Sequence, residues 1–239
     1  MQLQILKKHQ LLLALAFIVA FLGSFINAEV ILSDDFSSGT LTGWTSVDEG
    51  ATSGPSIWGV TNLSGNMVAI QSSNIYSNHG SDIHIGSYLK RLSSSVQNYS
   101  VSLDVMSSDD DYNGIMFGYQ NSSNYYRFSI SNQFANRTLQ KMVGGTFTTL
   151  ASDAVAFTLN QWYNIKVTVI DSYIKVYVDN SLLFNVMDST FSTLGSIGLY
   201  VSASQNGYFD NVLVQSVPEA SSIALLLFGL AIFALHYKK

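Results

Sequence analysis

Ser107 to Ile130 reads SSDDDYNGIMFGYQNSSNYYRFSI, and the fold is decided there. Ile115, Phe117 and Tyr119 alternate with Met116 and Gly118; after a polar turn at Asn121 to Asn124, Tyr126, Phe128 and Ile130 alternate with Tyr125, Arg127 and Ser129. A period of two sends successive side chains to opposite faces of an extended chain, so the stretch predicts a β-hairpin whose strands each have one buried face. In front of the first strand stand Asp109, Asp110 and Asp111. Adjacent carboxylates repel one another unless water, a base or a cation relieves them, and Ca2+ suits such an oxygen-rich loop.

A hairpin needs neighbours to cover its apolar face, and the flanking sequence supplies them. Upstream, Tyr99, Val101, Leu103 and Val105 alternate with Ser100, Ser102 and Asp104. Downstream, Arg137 to Met142 and Thr146 to Leu150 flank the turn signal Gly144-Gly145. Ile165, Val167 and Val169 then answer Ile174, Val176 and Val178 across Asp171-Ser172, and a second turn at Asp179-Asn180 leads into Leu182 to Val186. Ile197, Leu199 and Val201 form a strand with Gly198 and Tyr200 on its other face, and Phe209 to Val214 closes the series. Toward the N-terminus, Trp58 to Gln71 predicts further strand, and Ile31 to Trp44, ILSDDFSSGTLTGW, resembles the first strand of many bacterial jelly rolls, which implies Phe36 and Trp44 as core anchors. Ser72 to Ser87 reads as a polar loop; its His79 and His84 have no third ligand at a zinc spacing. Many short strands with regular turn signals predict an all-β, two-sheet antiparallel sandwich of jelly-roll type.

Composition agrees with one β-domain plus processing segments. The 239 residues include 13 Tyr and 14 Phe but only 11% charged residues. From Glu29 to Val217 there are 15 acidic and 7 basic residues, a net charge of −8, which excludes the basic footprint of a nucleic-acid binder. There are no cysteines, so disulfides cannot staple the domain and a bound ion gains importance.

DDDYNGIMFGYQNSSNYYRFSISNQ resembles the matching hairpin of the C-terminal lectin-like domain of thrombospondins, where an acidic run precedes an aromatic strand pair. WYNIKVTVIDSYIKVYVDNSLLF and GSIGLYVSASQNGYFDNVLV are similar to the closing strands of concanavalin A-like, laminin-G-like jelly rolls. The resemblance spans Val30 to Gln215 and is weakest between Ser46 and Gln97. It strengthens the expectation of calcium at Asp109 to Asp111. Because first and last strands of jelly rolls commonly lie side by side, it also raises a second candidate cation site, at Asp34 or Asp35 with Asp210; the alternative for Asp34 and Asp35 is a pair of solvated turn residues.

The ends differ in character. Lys7, Lys8 and His9, the apolar run Leu11 to Leu22 and the small-residue site at Ala28 read as a cleavable secretory signal over residues 1–28. After the domain at 29–216, the segment 217–239 resembles a PEP-CTERM sorting tail: Val217, Pro218 and Glu219, a hydrophobic helix over Ser221 to Leu235, and Lys238-Lys239. It departs from that pattern at Ala220, where the family usually has a second Pro. The resemblance implies an exported protein of a Gram-negative envelope, surface or matrix, transiently anchored in the inner membrane and processed by an exosortase-type enzyme. A plain anchor obeying the positive-inside rule is the alternative.

Catalytic chemistry has little to stand on. Retaining glycosidases, including the jelly-roll family 16 enzymes, need two carboxylates about 5 Å apart. Here the domain holds only Glu29 and Glu49 as glutamates, neither with a carboxylate at strand spacing, and Asp104 sits among Ser100 and Ser102. The expectation is a non-enzymatic structural or adhesive unit. The alternative is a lectin-like module for exopolysaccharide or another surface glycan, using Tyr125, Arg127, Tyr173, Lys175, Tyr177 and Tyr200 as one outward platform.

Overall fold

The alternating stretches become strands throughout the computed structural model, which describes residues 28–79 and 82–218. Their order is β1 (Val30–Asp34), β2 (Thr45–Asp48), β3 (Trp58–Leu63), β4 (Asn66–Gln71), β5 (Ser77–His79), β6 (Asp82–Ile85), β7 (Ser87–Ser94), β8 (Tyr99–Ser107) and β9 (Tyr112–Asn121). Then follow β10 (Asn124–Ser131), β11 (Asn136–Val143), β12 (Thr146–Asp153), β13 (Tyr163–Ile170), β14 (Tyr173–Val178), β15 (Ser181–Met187), β16 (Gly195–Ser202) and β17 (Gly207–Ser216). The expected signal segment, the tail from Glu219 onward and the helices assigned to both lie outside the described residues; Val217 and Pro218 end the described chain without regular structure.

Two antiparallel sheets form the sandwich. One has eight strands in the order β15-β14-β13-β8-β17-β4-β3, with β1 paired to β17; the other has seven, in the order β12-β11-β10-β9-β16-β7-β2. First and last strands do lie side by side, Val30 opposite Gln215 and Asp34 opposite Val212. The turns at Asp171-Ser172 and Asp179-Asn180 are left-handed at all four residues, the conformation that matches the twist of a two-residue hairpin.

Between the sheets, alternate residues make one core. Tyr99, Val101, Leu103 and Val105 of β8 meet Ile115, Phe117, Tyr126 and Phe128 of β9 and β10, all fully buried, with Phe36 and Trp44 among them as expected. The polar side of β8 is also accounted for: Asp104 accepts hydrogen bonds from Asn164 and Asn211.

Three expectations need correction. β9 and β10 are buried on both faces, not one, because a second apolar cluster covers the far side of the seven-stranded sheet. Tyr119 belongs to that second cluster with Met116 rather than to the core with Phe117. Gly118 has a φ of +59°, and Gly195 and Ser196 both pair with Tyr119, so a bulge interrupts the alternation and turns Tyr119 over. The stretch Ser72 to Ser87 also contains strands β5 and β6, where a loop was expected.

Candidate functional site

The face of the seven-stranded sheet turned away from the core carries a buried guanidinium and a carboxylate held by tyrosines. Register across the strands lines up Thr149, Gln140, Arg127, Met116, Gly198 and Lys90 in one row. The adjacent row runs Ser152, Thr138, Ser129, Gly114, Tyr200 and Tyr88. Arg127 is only 1% exposed. A buried guanidinium needs partners, and it has them: it donates to Gln140 Oε1 at 2.7 Å and lies 4.3 Å and 4.6 Å from the ring centres of Phe147 and Tyr200.

Glu49 is aimed at this face. Its own N–H and that of Gly50 donate to the carbonyl of Gly86, while Ala51 and Thr52 donate to the carbonyl of Tyr76, which pins the loop after β2. The Glu49 carboxylate then accepts the hydroxyls of Tyr125 at 3.0 Å and Tyr88 at 3.3 Å, and the Tyr88 hydroxyl lies 2.9 Å from that of Tyr119. Burial, followed by the charge of Glu49, pushes the Tyr88 phenol far up, and burial does the same for Tyr125 against the opposing charge of Arg127. These phenols stay protonated and serve as donors.

Beyond Gln140 the face opens. A groove of about 550 Å³ runs over β11 and β12, floored by Asn136, Thr138, Gln140 and Thr149 and walled by Ser152, Asp153 and the Tyr112–Phe134 pair. Those two rings stack at 5.4 Å with an interplanar angle of 22°, and Phe134 is 42% exposed. The Asn136 amide donates to the Tyr112 hydroxyl. Arg137 grips Asp153 through both of its carboxylate oxygens, so the rim carries no free acid at that point. A ring, hydroxyls and amides in an open trough are suited to stacking on and hydrogen bonding to a polyhydroxylated ligand.

The six residues expected to form a single platform are divided. Tyr125, Arg127 and Tyr200 lie on the seven-stranded sheet and are buried; Tyr173, Lys175 and Tyr177 lie on β14 of the eight-stranded sheet, with Tyr173 at 47% exposure. Strand alternation put these six side chains on faces turned away from the core but carried no information on what covers those faces or on which sheet each strand joins. Glu49, Tyr88, Tyr119, Gln140, Phe147, Tyr112 and Phe134 were missed. The Tyr125–Glu49 hydrogen bond spans 76 residues, so no local spacing announces it; the available signal was an isolated glutamate beside glycine in a weakly charged chain.

The acidic residues separate as well. Asp109, Asp110 and Asp111 each offer an oxygen within 4.8 Å of the others. Asp109 already accepts N–H groups from Asp110 and Gln205, whereas burial first, and then Asp109 and Asp110, push the Asp111 carboxyl up to about 6. Asp34 does not join Asp210 in a cation site: its carboxylate is held by Arg91 and by the Trp44 indole N–H. Asp35 is bound to Ser37, and Asp210 accepts from Asn66 at 2.7 Å and from the Asn211 N–H. Burial pushes the Asp210 carboxyl up, with Asp104 and Asp35 adding to it against those two hydrogen bonds.

Residues 32–215 match a protein family described as the 3-keto-alpha-glucoside-1,2-lyase-like domain. Among solved structures, domain 4 of AbnA, a GH43 extracellular arabinanase from Geobacillus stearothermophilus in complex with arabinotriose, superimposes with a TM-score of 0.59 at 16% identity, covering 80% of this chain and 93% of that one. The carbohydrate-binding module CBM66 from Bacillus subtilis gives 0.55 at 20% identity over 73% and 96%. SCLam, a non-specific endo-beta-1,3(4)-glucanase of family GH16, gives 0.55 at 11% identity over 79% and 91%. These likenesses concern the fold. No curated protein sequence matches the chain.

Proposed function

The chain belongs to the family of 3-keto-alpha-glucoside-1,2-lyase-like domains, and on that premise we propose that its sandwich binds carbohydrate. The observation that carries the reading is the groove over β11 and β12, with the half-exposed Phe134 ring beside the amides and hydroxyls of Asn136, Gln140, Thr138 and Thr149. Glycan binding takes precedence over the structural or adhesive role expected first, since two similar structures are by name a carbohydrate-binding module and an arabinanase domain holding arabinotriose. Arg127 and Glu49 act here as supports: Arg127 orients Gln140 at the inner end of the groove, and Glu49 ties Tyr88 and Tyr125 into a fixed wall.

Binding without cleavage is the mode we favour. Retention requires two carboxylates about 5 Å apart, and the groove's own acid, Asp153, is engaged by Arg137. A glycan array with the full chain tests the reading. Phe134→Ala and Gln140→Ala should each weaken the strongest signal about tenfold, equivalent to about 1.4 kcal/mol. An empty array, or signals indifferent to both changes, removes the groove from consideration. Release of a product from a 3-keto-α-glucoside, followed by chromatography, would make the protein an enzyme instead.

The sorting-tail resemblance of Val217, Pro218 and Glu219 supports export to a Gram-negative envelope, with an exosortase-type enzyme as processing partner and a surface or exopolysaccharide glycan as ligand. Ca2+ at Asp109, Asp110 and Asp111 belongs to the same proposal. The donor set fits a hard cation: three carboxylates converge, and one of them carries a raised pKa that a divalent charge would relieve.

A further inference from the structure

A ring beside a polar row occurs a second time, on the opposite sheet. The turn Asp171-Ser172 reverses the chain and sets Ile170 opposite Tyr173 and Thr168 opposite Lys175. Across the next strand, Tyr173 faces Met187 and Lys175 faces Asn185. Ile174 and Val176 are fully buried in the core, so alternation sends Tyr173 and Lys175 to the solvent side. There Thr168, Ile170, Asp171, Tyr173, Lys175 and Asn185 bound a hollow of about 290 Å³.

The chemistry of this hollow parallels that of the groove. Tyr173 is 47% exposed, as Phe134 is at 42%, and each ring stands beside hydroxyl and amide groups presented by neighbouring strands. Thr168, Lys175 and Asn185 sit on three consecutive strands, spaced by about 4.8 Å, so that hydroxyl, ammonium and amide form a short ladder on the scale of a sugar ring. Ile170 and the 73% exposed Met187 flank the Tyr173 ring and extend its apolar surface. Lys175 and Asp171 carry opposite charges, which favours an uncharged polyol over an anionic polymer.

We propose that this hollow is a second binding site for a neutral glycan, and that the domain therefore bridges two glycan chains. The inference rests on the carbohydrate reading of the groove. The sheets of a sandwich lie about 10 Å apart, so sites on the two outer faces look in opposite directions and one short stretch of sugar chain cannot fill both. Two linked sites raise avidity for a polymer and cross-link it at low protein concentration.

The test uses the full chain with the neutral glycans of the array, then linear arabinan and mixed-linkage β-1,3(4)-glucan in solution. Calorimetric titration with the best short glycan should count two sites per chain. Tyr173→Ala should leave one site and abolish the rise in light scattering that the wild type produces with the polymer. Phe134→Ala should likewise leave one site at the wild-type affinity, with the groove weakened about tenfold, and the double variant should retain no site at that affinity. A single site in the wild type that Phe134→Ala removes and Tyr173→Ala does not would overturn the second site while leaving the groove intact. Failure to bind any glycan would overturn both.

Discussion

The Asp111 carboxyl, pushed up to about 6 by burial and then by Asp109 and Asp110, binds its proton more tightly in the folded chain than in the unfolded one. Such a group costs stability progressively as pH rises from about 4 to about 6, and the cost is complete above that window. Asp188 behaves in the opposite way. Burial opposes its charge, yet Lys141, Thr190 and Tyr126 hold its pKa at about 2, with Lys141 Nζ and the Tyr126 hydroxyl both 2.6 Å away. Its contribution is present above about pH 4 and is lost as pH falls toward 2. In chelated buffer, the melting temperature should rise as pH is lowered from about 7 to about 5 and fall below about 4. Asp111→Asn should flatten the first limb and Asp188→Asn the second. Millimolar calcium should remove the first limb by neutralising the cluster, with magnesium doing so poorly. Superimposable melts with chelator and with calcium would end the cation proposal. Three consecutive aspartates were legible in the sequence as an acidic cluster; the latch at Asp188 was not, because its partners lie 47 and 62 residues away.

At the scale of the hairpin, period-two alternation located β9 and β10 and their turn but left the second face undetermined. Alternation says that neighbouring side chains diverge; it does not say that one direction is solvent. The polar-looking face of β10 is instead covered by tyrosines from β7, β9 and β16, held in part by Glu49. Close approach of the backbones is a second feature hidden from pattern. Gly114 lies directly opposite Ser129, and a Cβ there would stand 2.0 Å from the Phe128 carbonyl oxygen. That oxygen and the Ser129 Cα, 2.8 Å away, are backbone atoms, so the strands must separate to admit it. Gly114→Ala is expected to cost about 3 kcal/mol, lowering the melting temperature by about 10 °C. Gly59→Ala provides the control, since no atom lies within 4 Å of a Cβ at that position and its change should be near zero. Equal melting temperatures for the two variants would refute the close approach.

For the molecule as a whole, the jelly-roll class was legible because about half of its strands carry clean alternation and left-handed turn residues. What escaped was β2, β5, β6 and β7, in the Ser46 to Gln97 region, whose Ser-rich sequence alternates weakly, and with them the loop that delivers Glu49. The pairing of β1 with β17 has a consequence for export. Val30 opposite Gln215 closes the ladder within the domain, so every strand of both sheets found among the described residues lies between residues 30 and 216. Processing at Ala28 and near Val217, Pro218 and Glu219 should therefore yield a species that lacks both ends, keeps all of these strands and melts within a degree or two of the unprocessed chain. Intact-mass measurement of the envelope-associated or secreted protein checks the first part and calorimetry of the same material the second. Recovery of the full-length chain from the cytosol would refute export, and a large loss of melting temperature on processing would refute the independence of the domain from its ends.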